Sequence, residues 1–111
     1  MIIKAEDYRI ECIEPSKAVI VGILRLPTPS AYEAHFKPIK EHLQNATEPI
    51  LDVTKVDFMN SSGITALGRL ILFAKEKNIP ISVLGNKNIP WQNKSLKMLE
   101  KLWDKTCVIF Q

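Results

Sequence analysis

Two adjacent serines stand where a hydrophobic strand passes into an apolar-periodic run, in the segment VDFMNSSGITALG. The centre of this segment is Asn60-Ser61-Ser62-Gly63. Asn and Ser are strongly preferred at the N-cap of a helix, because a short side-chain oxygen accepts a hydrogen bond from an amide that the first turn leaves unpaired. Capping by Asn60 or Ser61 therefore explains one of these residues, and Gly63 allows a tight turn into the helix. It does not explain why two serines are present.

The serine that is left over has three possible chemical uses. A nucleophilic serine needs a general base, but the Gly-x-Ser-x-Gly pattern is absent, and His35 and His42 are expected on the solvent-facing side of a helix. A P-loop needs Gly-Lys followed by Ser or Thr, which is also absent. A phosphoacceptor serine is well placed at a helix N-terminus, since the helix dipole and the unpaired amides stabilise added negative charge. The sequence therefore favours phosphorylation over catalysis.

Short apolar runs predict the strands that position these serines. Residues 8–13 and 18–26 flank Glu14-Pro15-Ser16-Lys17, whose proline and serine favour a tight turn, so the two runs predict a β-hairpin. Pro27 and Pro29 end its second strand, because proline donates no ladder hydrogen bond. Further strands are predicted at 50–53, with an extension through TKVDF as an open alternative, and at 81–84 and 106–110.

Three helices are predicted between these strands. Ser30-Ala31-Tyr32-Glu33 matches a capping box, and the apolar spacing that follows predicts a first helix over about 30–44, kinked or split at Pro38. A second helix is predicted from Ser61 to near Asn78. The third helix is marked by Leu96, Leu99, Leu102 and Trp103.

The predicted order of elements is β-β-α-β-α-β-α-β. Each helix that joins two strands implies a parallel crossover, and the opening hairpin adds an antiparallel edge. This order predicts an α/β fold with a mixed sheet, antiparallel at the N-terminal hairpin and parallel elsewhere, and three main helices. The 111 residues fit a single domain over 1–111.

Composition limits the class of protein further. No apolar run approaches the ~18 residues that span a bilayer, and the N-terminus lacks a signal-peptide pattern, so a cytoplasmic protein without membrane attachment is expected. A formal charge of +3 is too small to indicate a nucleic-acid binder. Cys12 and Cys107 lie in apolar runs and are expected as buried thiols, so neither a disulfide, a metal site nor another cofactor is predicted.

The segment LDVTKVDFMNSSGITALGRL is similar to the STAS family, the anti-sigma factor antagonist domains. That family carries a buried strand with an Asp, then a hydrophobic pair, then Asp-Ser-Ser-Gly at the start of a helix. Here Asp52, the pair Phe58-Met59 and the run Ser61-Ser62-Gly63 stand in those places. The predicted order of strands and helices also matches the family over nearly the whole chain, so the resemblance implies a STAS fold.

The resemblance implies a non-enzymatic binding module that is regulated by phosphorylation. In the family, the serine before the glycine, here Ser62, is phosphorylated by an anti-sigma factor that is also an ATP-dependent serine kinase. The unphosphorylated form binds this kinase and frees the sigma factor, and a metal-dependent serine phosphatase resets the system. Ser61 is the secondary candidate for the phosphoacceptor.

Two features depart from the family pattern. Asn60 stands where the family usually has Asp, which removes a charge beside the acceptor. The family's second strand usually leads into a Gly-x-hydrophobic-Asp loop that helps to form the partner surface, whereas residues 22–28 here offer Arg25 and no acid. The kinase partner is therefore expected to differ from a typical anti-sigma factor. The segment GNKNIPWQNKSLKMLEKLW resembles a cyanobacterial-type subgroup of single-domain STAS regulators.

The expected partner surface combines the loop before the first helix with the start and exposed face of the second. Its members are Thr28, Ser30, Asn60, Ser61, Gly63, Ile64, Thr65 and Arg69, with Trp91 as a further candidate. Trp91 either packs on the end of the sheet or forms an exposed anchor at an interface. The lysines of the C-terminal third form a solvated helix face, or they bind phosphate or an acidic partner.

Other function classes stay open at this point. One is a constitutive scaffold that never carries phosphate. Another is a ligand or nucleic-acid binder that uses Trp91 and the neighbouring lysines, since an indole ring can stack on a base. A hydrolase is the weakest alternative, because no general base accompanies the serines.

Overall fold

Six strands form one mixed sheet within residues 2–13 and 15–111, the ranges that the computed structural model describes. The strands are β1 Ile2–Lys4, β2 Tyr8–Ile13, β3 Lys17–Leu24, β4 Ile50–Met59, β5 Ile81–Gly85 and β6 Thr106–Phe110. The helices are α1 Pro29–Gln44, α2 Ser61–Glu76, α3 Pro90–Ser95 and α4 Lys97–Leu102. The strands lie side by side in chain order, antiparallel from β1 to β3 and parallel from β3 to β6. The predicted mixed α/β architecture is confirmed.

The helices cover one face of this sheet. Right-handed crossovers that always step in the same direction across a sheet place their helices on the same side, and here α1 packs on α2 and α2 on α4. The burial of β3 agrees, because Ala18 and Ile20 are fully buried whereas Val19 and Val21 are only half-buried. The core therefore lies between the sheet and one layer of helices.

The strands differ from the prediction at their ends. β1 was not predicted, because three residues are too short to show an alternating pattern, yet Ile3 pairs with Ile10 of β2. The hairpin of β2 and β3 is confirmed, although Glu14 of its predicted turn lies outside the described residues. β3 ends at Leu24 instead of residue 26. The extension of β4 through TKVDF is confirmed, and the strand runs one residue further, to Met59.

The start of α1 was predicted wrongly. The helix begins at Pro29, and its N-cap is Thr28, whose Oγ1 accepts a hydrogen bond from the Ala31 amide at 3.2 Å. A proline is favoured at the first helical position, since its φ is already helical and no donor is needed there. The predicted capping box at Ser30 is not formed, because Thr28 is the N-cap and Ser30 lies inside the helix. Glu33 pairs with Arg69 of α2.

Of the two predicted effects of Pro38, the split of α1 is wrong, since the helix runs as one element from Pro29 to Gln44. A proline inside a helix costs roughly 3 kcal/mol. Phe36 and Ile39 flank it and are at most 1% exposed, and burying each such side chain contributes about 1.5–3 kcal/mol. Burial on both sides of Pro38 therefore holds the two halves of α1 together.

The predicted third helix is two short helices, α3 and α4, and α3 completes the edge of β4. β5 pairs with β4 from Ile50 to Asp52. Beyond Asp52 the fully buried Gln92 takes this edge, and its Nε2 donates to the carbonyls of Val53 at 2.8 Å and Val56 at 3.0 Å. Gln92 thereby supplies side-chain hydrogen bonds where a neighbouring strand would supply backbone ones.

Four side chains differ from their expected exposure, among them Cys12, which was expected to be buried and is half-buried. The predicted solvent-facing histidines are half-buried: the His35 ring lies edge-on to Tyr8 with centroids 5.8 Å apart, and Nε2 of His42 lies 3.1 Å from the Ile13 carbonyl oxygen. Cys107 is exposed, because it lies on an edge strand and faces away from the helices. In the described ranges, no helix has the length and apolar character required to cross a membrane.

Candidate functional site

The two serines lie at the carboxyl ends of the parallel strands β3 and β4. β4 passes into α2 through Asn60, and β3 passes into α1 through residues 25–28, which we call the β3–α1 loop. The Asn60 amide donates to the Leu24 carbonyl at 3.2 Å. In parallel α/β sheets, binding sites typically form at this edge, where the loops after neighbouring strands meet.

Asn60 is the N-cap of α2 and also holds the β3–α1 loop. Its Oδ1 accepts hydrogen bonds from the Gly63 amide at 3.0 Å and from the Tyr32 hydroxyl at 2.7 Å. Its Nδ2 donates to the Leu26 carbonyl at 2.8 Å. These three bonds fix the orientation of the amide and resolve the earlier alternative, because Asn60 and not Ser61 caps the helix.

Tyr32 of α1 joins the hydrogen-bond network that Asn60 forms with Gly63 and Leu26. Its hydroxyl accepts a hydrogen bond from the Leu26 amide at 3.1 Å while it donates to Asn60. The ring is fully buried, and burial raises the pKa of the Tyr32 phenol above its ordinary value of 10.0, although the bond from Leu26 opposes that shift. The phenol is therefore protonated at neutral pH and keeps its role as a donor to Asn60.

Gly63 is required by the close packing of α2. A Cβ added at this position would overlap Met59 Cγ and would lie 3.0 Å from Tyr32 Cζ. Gly63 is itself buried. The absence of a side chain thus allows the first turn of α2 to lie against Met59 and Tyr32, the residues that support the network.

The two serines have different surroundings. Ser61 is exposed, whereas Ser62 is half-buried and its Oγ donates to the Pro27 carbonyl over a long contact of 3.4 Å. Both lie in the first turn of α2, which contains no acidic residue. A negative charge on either serine would be stabilised by the helix N-terminus, but the hydroxyl of Ser62 is the one that touches the β3–α1 loop.

Arg69 lies on the same side of α2 as Ser62. It follows Ser62 by seven residues, which is close to two helical turns, and its guanidinium donates to the Glu33 carboxylate at 2.6 Å. Both side chains of this pair are nearly half-exposed. Glu33 is therefore part of this surface. No local sequence pattern indicates this, because the pair joins residues 36 positions apart.

The structure brings most of the predicted surface together. Around the β3–α1 loop and the first turns of α2 lie Thr28, Ser30, Asn60, Ser61, Ile64 and Thr65. Gly63 lies among them but is buried, so it supports this surface and does not form it. Trp91 is not part of this cluster: it lies on the other edge of β4, half-buried, where its Nε1 donates to the Val56 carbonyl at 2.9 Å. This contact agrees with the first of the two interpretations of Trp91, in which the ring packs on the end of the sheet.

One feature near the loop was missed by sequence reasoning. Phe58 is 42% exposed, and the guanidinium of Arg25 lies 5.3 Å from its ring centroid, within the range of a cation–π contact. Ile23 pairs with Phe58 across the two strands. The exposure of Phe58 could not be predicted from alternation along the strand, because the β-bulge before Ile23 interrupts the alternation of faces between β3 and β4.

Comparisons of the chain with protein-family models, with curated proteins and with solved structures found no match. The chemistry of the site is therefore argued from its geometry. His35 contacts Tyr8 and His42 contacts Ile13, so both histidines are engaged at the β2 side of α1. The arrangement offers a serine hydroxyl at a helix N-terminus that donates one hydrogen bond to the β3–α1 loop. The side-chain amide of Asn60 holds this loop in place.

Proposed function

We propose that this protein is a STAS-type regulator, non-enzymatic and cytoplasmic, whose binding to a partner protein is switched by phosphorylation of Ser62. The observation that carries the proposal is the contact between the Ser62 hydroxyl and the Pro27 carbonyl. This contact connects a serine at a helix N-terminus with the loop expected to meet a partner. Ser61 is the secondary candidate for the phosphoacceptor.

The proposed switch follows from the charge and hydrogen-bonding character of a phosphate. Phosphorylation adds about −1.5 to −2 charges and three acceptor oxygens. At Ser62 these acceptors would replace a donor that faces the acceptor oxygen of Pro27. Either the loop moves away or the phosphate turns outward over the start of α2, and in both cases the surface presented to the partner changes.

The partners in this proposal come from the family resemblance. An ATP-dependent serine kinase of the anti-sigma type binds the unphosphorylated form and modifies Ser62, and a serine phosphatase removes the phosphate. The surface that meets the kinase comprises the β3–α1 loop and the start of α2, including Thr28, Ser30 and Thr65, together with Arg69. No cofactor is required by this scheme.

Asn60 gives the proposal a specific departure from the family pattern. Its Nδ2 donates to the Leu26 carbonyl at 2.8 Å, and an ionised Asp could not make that bond, because a carboxylate only accepts. Asn at this position therefore holds the β3–α1 loop by hydrogen bonding, where an Asp would supply charge. This supports a kinase partner that binds the β3–α1 loop in the conformation that Asn60 holds, and not one that binds an acidic group at position 60.

Phosphosite mapping by mass spectrometry tests the proposal. Wild type, Ser62→Ala and Ser61→Ala would each be incubated with ATP and the serine kinases of the organism that encodes the chain. We expect one phosphate on Ser62 in the wild type, none in Ser62→Ala, and unchanged incorporation in Ser61→Ala. Undiminished incorporation in Ser62→Ala would overturn the assignment of Ser62.

A constitutive scaffold is the second candidate, because the contact of Ser62 with Pro27 also suits a serine that never carries phosphate. Ser62 already has a hydrogen-bond partner in Pro27, as expected of a serine with a purely structural role. Ser62→Asp separates the two candidates, because a regulated module loses partner binding when a charge is placed there, whereas a constitutive scaffold keeps it.

A further inference from the structure

An apolar groove of about 350 Å³ runs between α2 and α4. One wall is formed by Ile64, Gly68 and Leu72 of α2, and the other by Met98 and Leu102 of α4. Leu72 and Met98 are each 46% exposed. Large apolar side chains that are exposed singly are common, whereas an exposed pair that lines one groove from two facing helices is a candidate contact surface for another molecule.

Helical spacing places the lining residues of each helix in one row. The α2 wall has residues four positions apart, and so does the α4 wall, which places each set along one side of its helix. A Cβ added at Gly68 would lie 3.3 Å from Leu102 Cδ1, so the glycine forms the floor where the two helices approach. From Ile64 to Leu72 the wall is about 12 Å long, or roughly two turns of a helix.

The rim of the groove is mainly positive. Lys97 and Lys101 each precede a groove residue of α4 by one position, and Lys75 follows Leu72 by three on α2; all three lysines are exposed. Glu100 faces away from the groove, since its Oε2 accepts a hydrogen bond from the Val108 amide at 3.0 Å. On α2 the charges balance: Glu76 follows Leu72 by four positions and lies beside Lys75, and the lining residue Arg69 is paired with Glu33. The surplus of positive charge therefore comes from Lys97 and Lys101 of α4.

We infer that this groove binds an acidic amphipathic helix of the partner protein. Apolar side chains at helical spacing would enter between Leu72 and Met98, as in helix-in-groove recognition. Acidic residues beside them would meet the lysine rim. A second copy of this chain is a poorer occupant, because a two-fold axis at the groove would set the same lysines against one another, and the chain carries a formal charge of +3.

This inference rests on the proposed function and gives the direction of its switch. The head of the groove, at Ile64 and Thr65, lies within one turn of Ser62 on α2. A phosphate on Ser62 would add negative charge about 5 Å along the helix from the site where an acidic partner helix begins. Phosphorylation would therefore weaken binding by repulsion.

The test uses two synthetic amphipathic helical peptides with identical apolar residues, one with Glu and one with Lys at the flanking positions. Each is titrated into the isotopically labelled protein at low salt, and amide chemical shifts report the site. We expect the Glu peptide to shift Gly68, Leu72 and Met98, and the Lys peptide to bind about tenfold more weakly or not at all. Equal binding of both peptides, or no binding of either, would overturn the inference.

Groove variants and a matched control sharpen the result. Leu72→Glu and Met98→Gln should each weaken binding of the Glu peptide about tenfold, whereas Ile109→Glu should not, since Ile109 is 44% exposed but lies on β6. Two variants on different helices guard against the unfolding of one. If Ile109→Glu weakens binding as much as the groove variants do, the peptide is not held by the groove.

Other occupants and the failure of the switch give separate results. Dodecanoate that shifts the groove residues when the Glu peptide does not would identify an acyl-chain site, and a dimer in sedimentation that Leu72→Glu abolishes would identify self-association; either overturns the inference. If Ser62→Asp leaves peptide binding unchanged while the groove variants abolish it, the groove stands as a binding site and the regulation by Ser62 fails.

Discussion

The two long helices begin at the same edge of the sheet, yet their first residues are held very differently. The N-cap of α1, Thr28, is exposed and bonds to the Ala31 amide three residues away. The N-cap of α2, Asn60, bonds to its own helix, to Tyr32 of α1 and to Leu26 of the β3–α1 loop. Thr28 caps only its own helix, whereas Asn60 connects α2, α1 and the β3–α1 loop. A change near the start of α2 can therefore alter the loop.

The largest expected effect is the contrast between Asn60→Ala and Thr28→Ala. Asn60→Ala removes a cap, worth about 1 kcal/mol, and leaves the Leu26 carbonyl and the Tyr32 hydroxyl without this partner, at about 1 kcal/mol or more each. We expect the free energy of unfolding in urea to fall by about 2–4 kcal/mol. Thr28→Ala should lower it by about 0.5–1 kcal/mol; equal losses would contradict the distinction between the two caps.

Two glycines of α2 provide the next contrast. Gly63→Ala forces a methyl group against Met59 and Tyr32, and such overpacking costs about 1–3 kcal/mol. At Gly68 the added methyl meets the flexible end of Leu102 at 3.3 Å, and helix propensity favours Ala by up to about 1 kcal/mol. Thermal unfolding should therefore show Gly63→Ala clearly below wild type and Gly68→Ala at or above it. The reverse order would show that the start of α2 is not tightly packed.

Tyr32→Phe tests whether α1 takes part in the network of the α2 cap. Losing the hydroxyl removes one bond from Leu26 and one to Asn60, which should cost about 1–2 kcal/mol at pH 7.

The same substitution has a predicted pH dependence. Because burial raises the pKa of the Tyr32 phenol above its unfolded value, this residue contributes stability in full below about pH 10 and loses it as the pH rises through the folded pKa. Urea unfolding between pH 8 and 11 should therefore show a shallower alkaline loss in Tyr32→Phe than in wild type. An unchanged slope would mean that this phenol does not contribute.

The local parts of the fold could be predicted from the sequence, and the long-range parts could not. The start of α2 at Ser61 follows from a polar N-cap and an apolar period that lie within one segment. The hydrogen bond from Tyr32 to Asn60 spans 28 residues, and the hydrogen bond from Asn60 to Leu26 spans 34. No local sequence pattern predicts either bond. Buried Gln92 is similar, since its role depends on β5 ending early beside β4.

The start of α1 shows how local signals can also compete. Thr28 before a proline and Ser30 before Glu33 are both valid N-terminal patterns. In the structure Thr28 is the N-cap and Pro29 takes the first helical position, while Glu33 pairs with Arg69 of another helix and does not close a capping box. For the candidate site, the sequence therefore indicated the residue types and the strand-to-helix turn. The hydrogen bonds from Asn60 and Ser62 of the α2 start to the β3–α1 loop could be seen only in the structure.

Asn60→Asp is expected to have the smallest effect on stability. The carboxylate keeps the bonds from Gly63 and Tyr32 and gains from the helix dipole by about 0.3–1 kcal/mol, but it loses the bond to the Leu26 carbonyl and repels that oxygen. We expect a net loss of about 1 kcal/mol or less, with faster hydrogen exchange in residues 25–28. An unchanged loop would mean that the departure from the family pattern at Asn60 has no structural consequence.

The most direct measurement compares phosphoserine placed at position 62 with phosphoserine placed at position 61 in the otherwise native chain. Hydrogen exchange of the Leu26 amide reports the β3–α1 loop, because this amide donates to the Tyr32 hydroxyl. We predict faster exchange of Leu26 with the phosphate on Ser62 and an unchanged rate with the phosphate on Ser61. Equal rates in the two phosphorylated proteins and the unmodified chain would contradict the claim that Ser62 controls the loop.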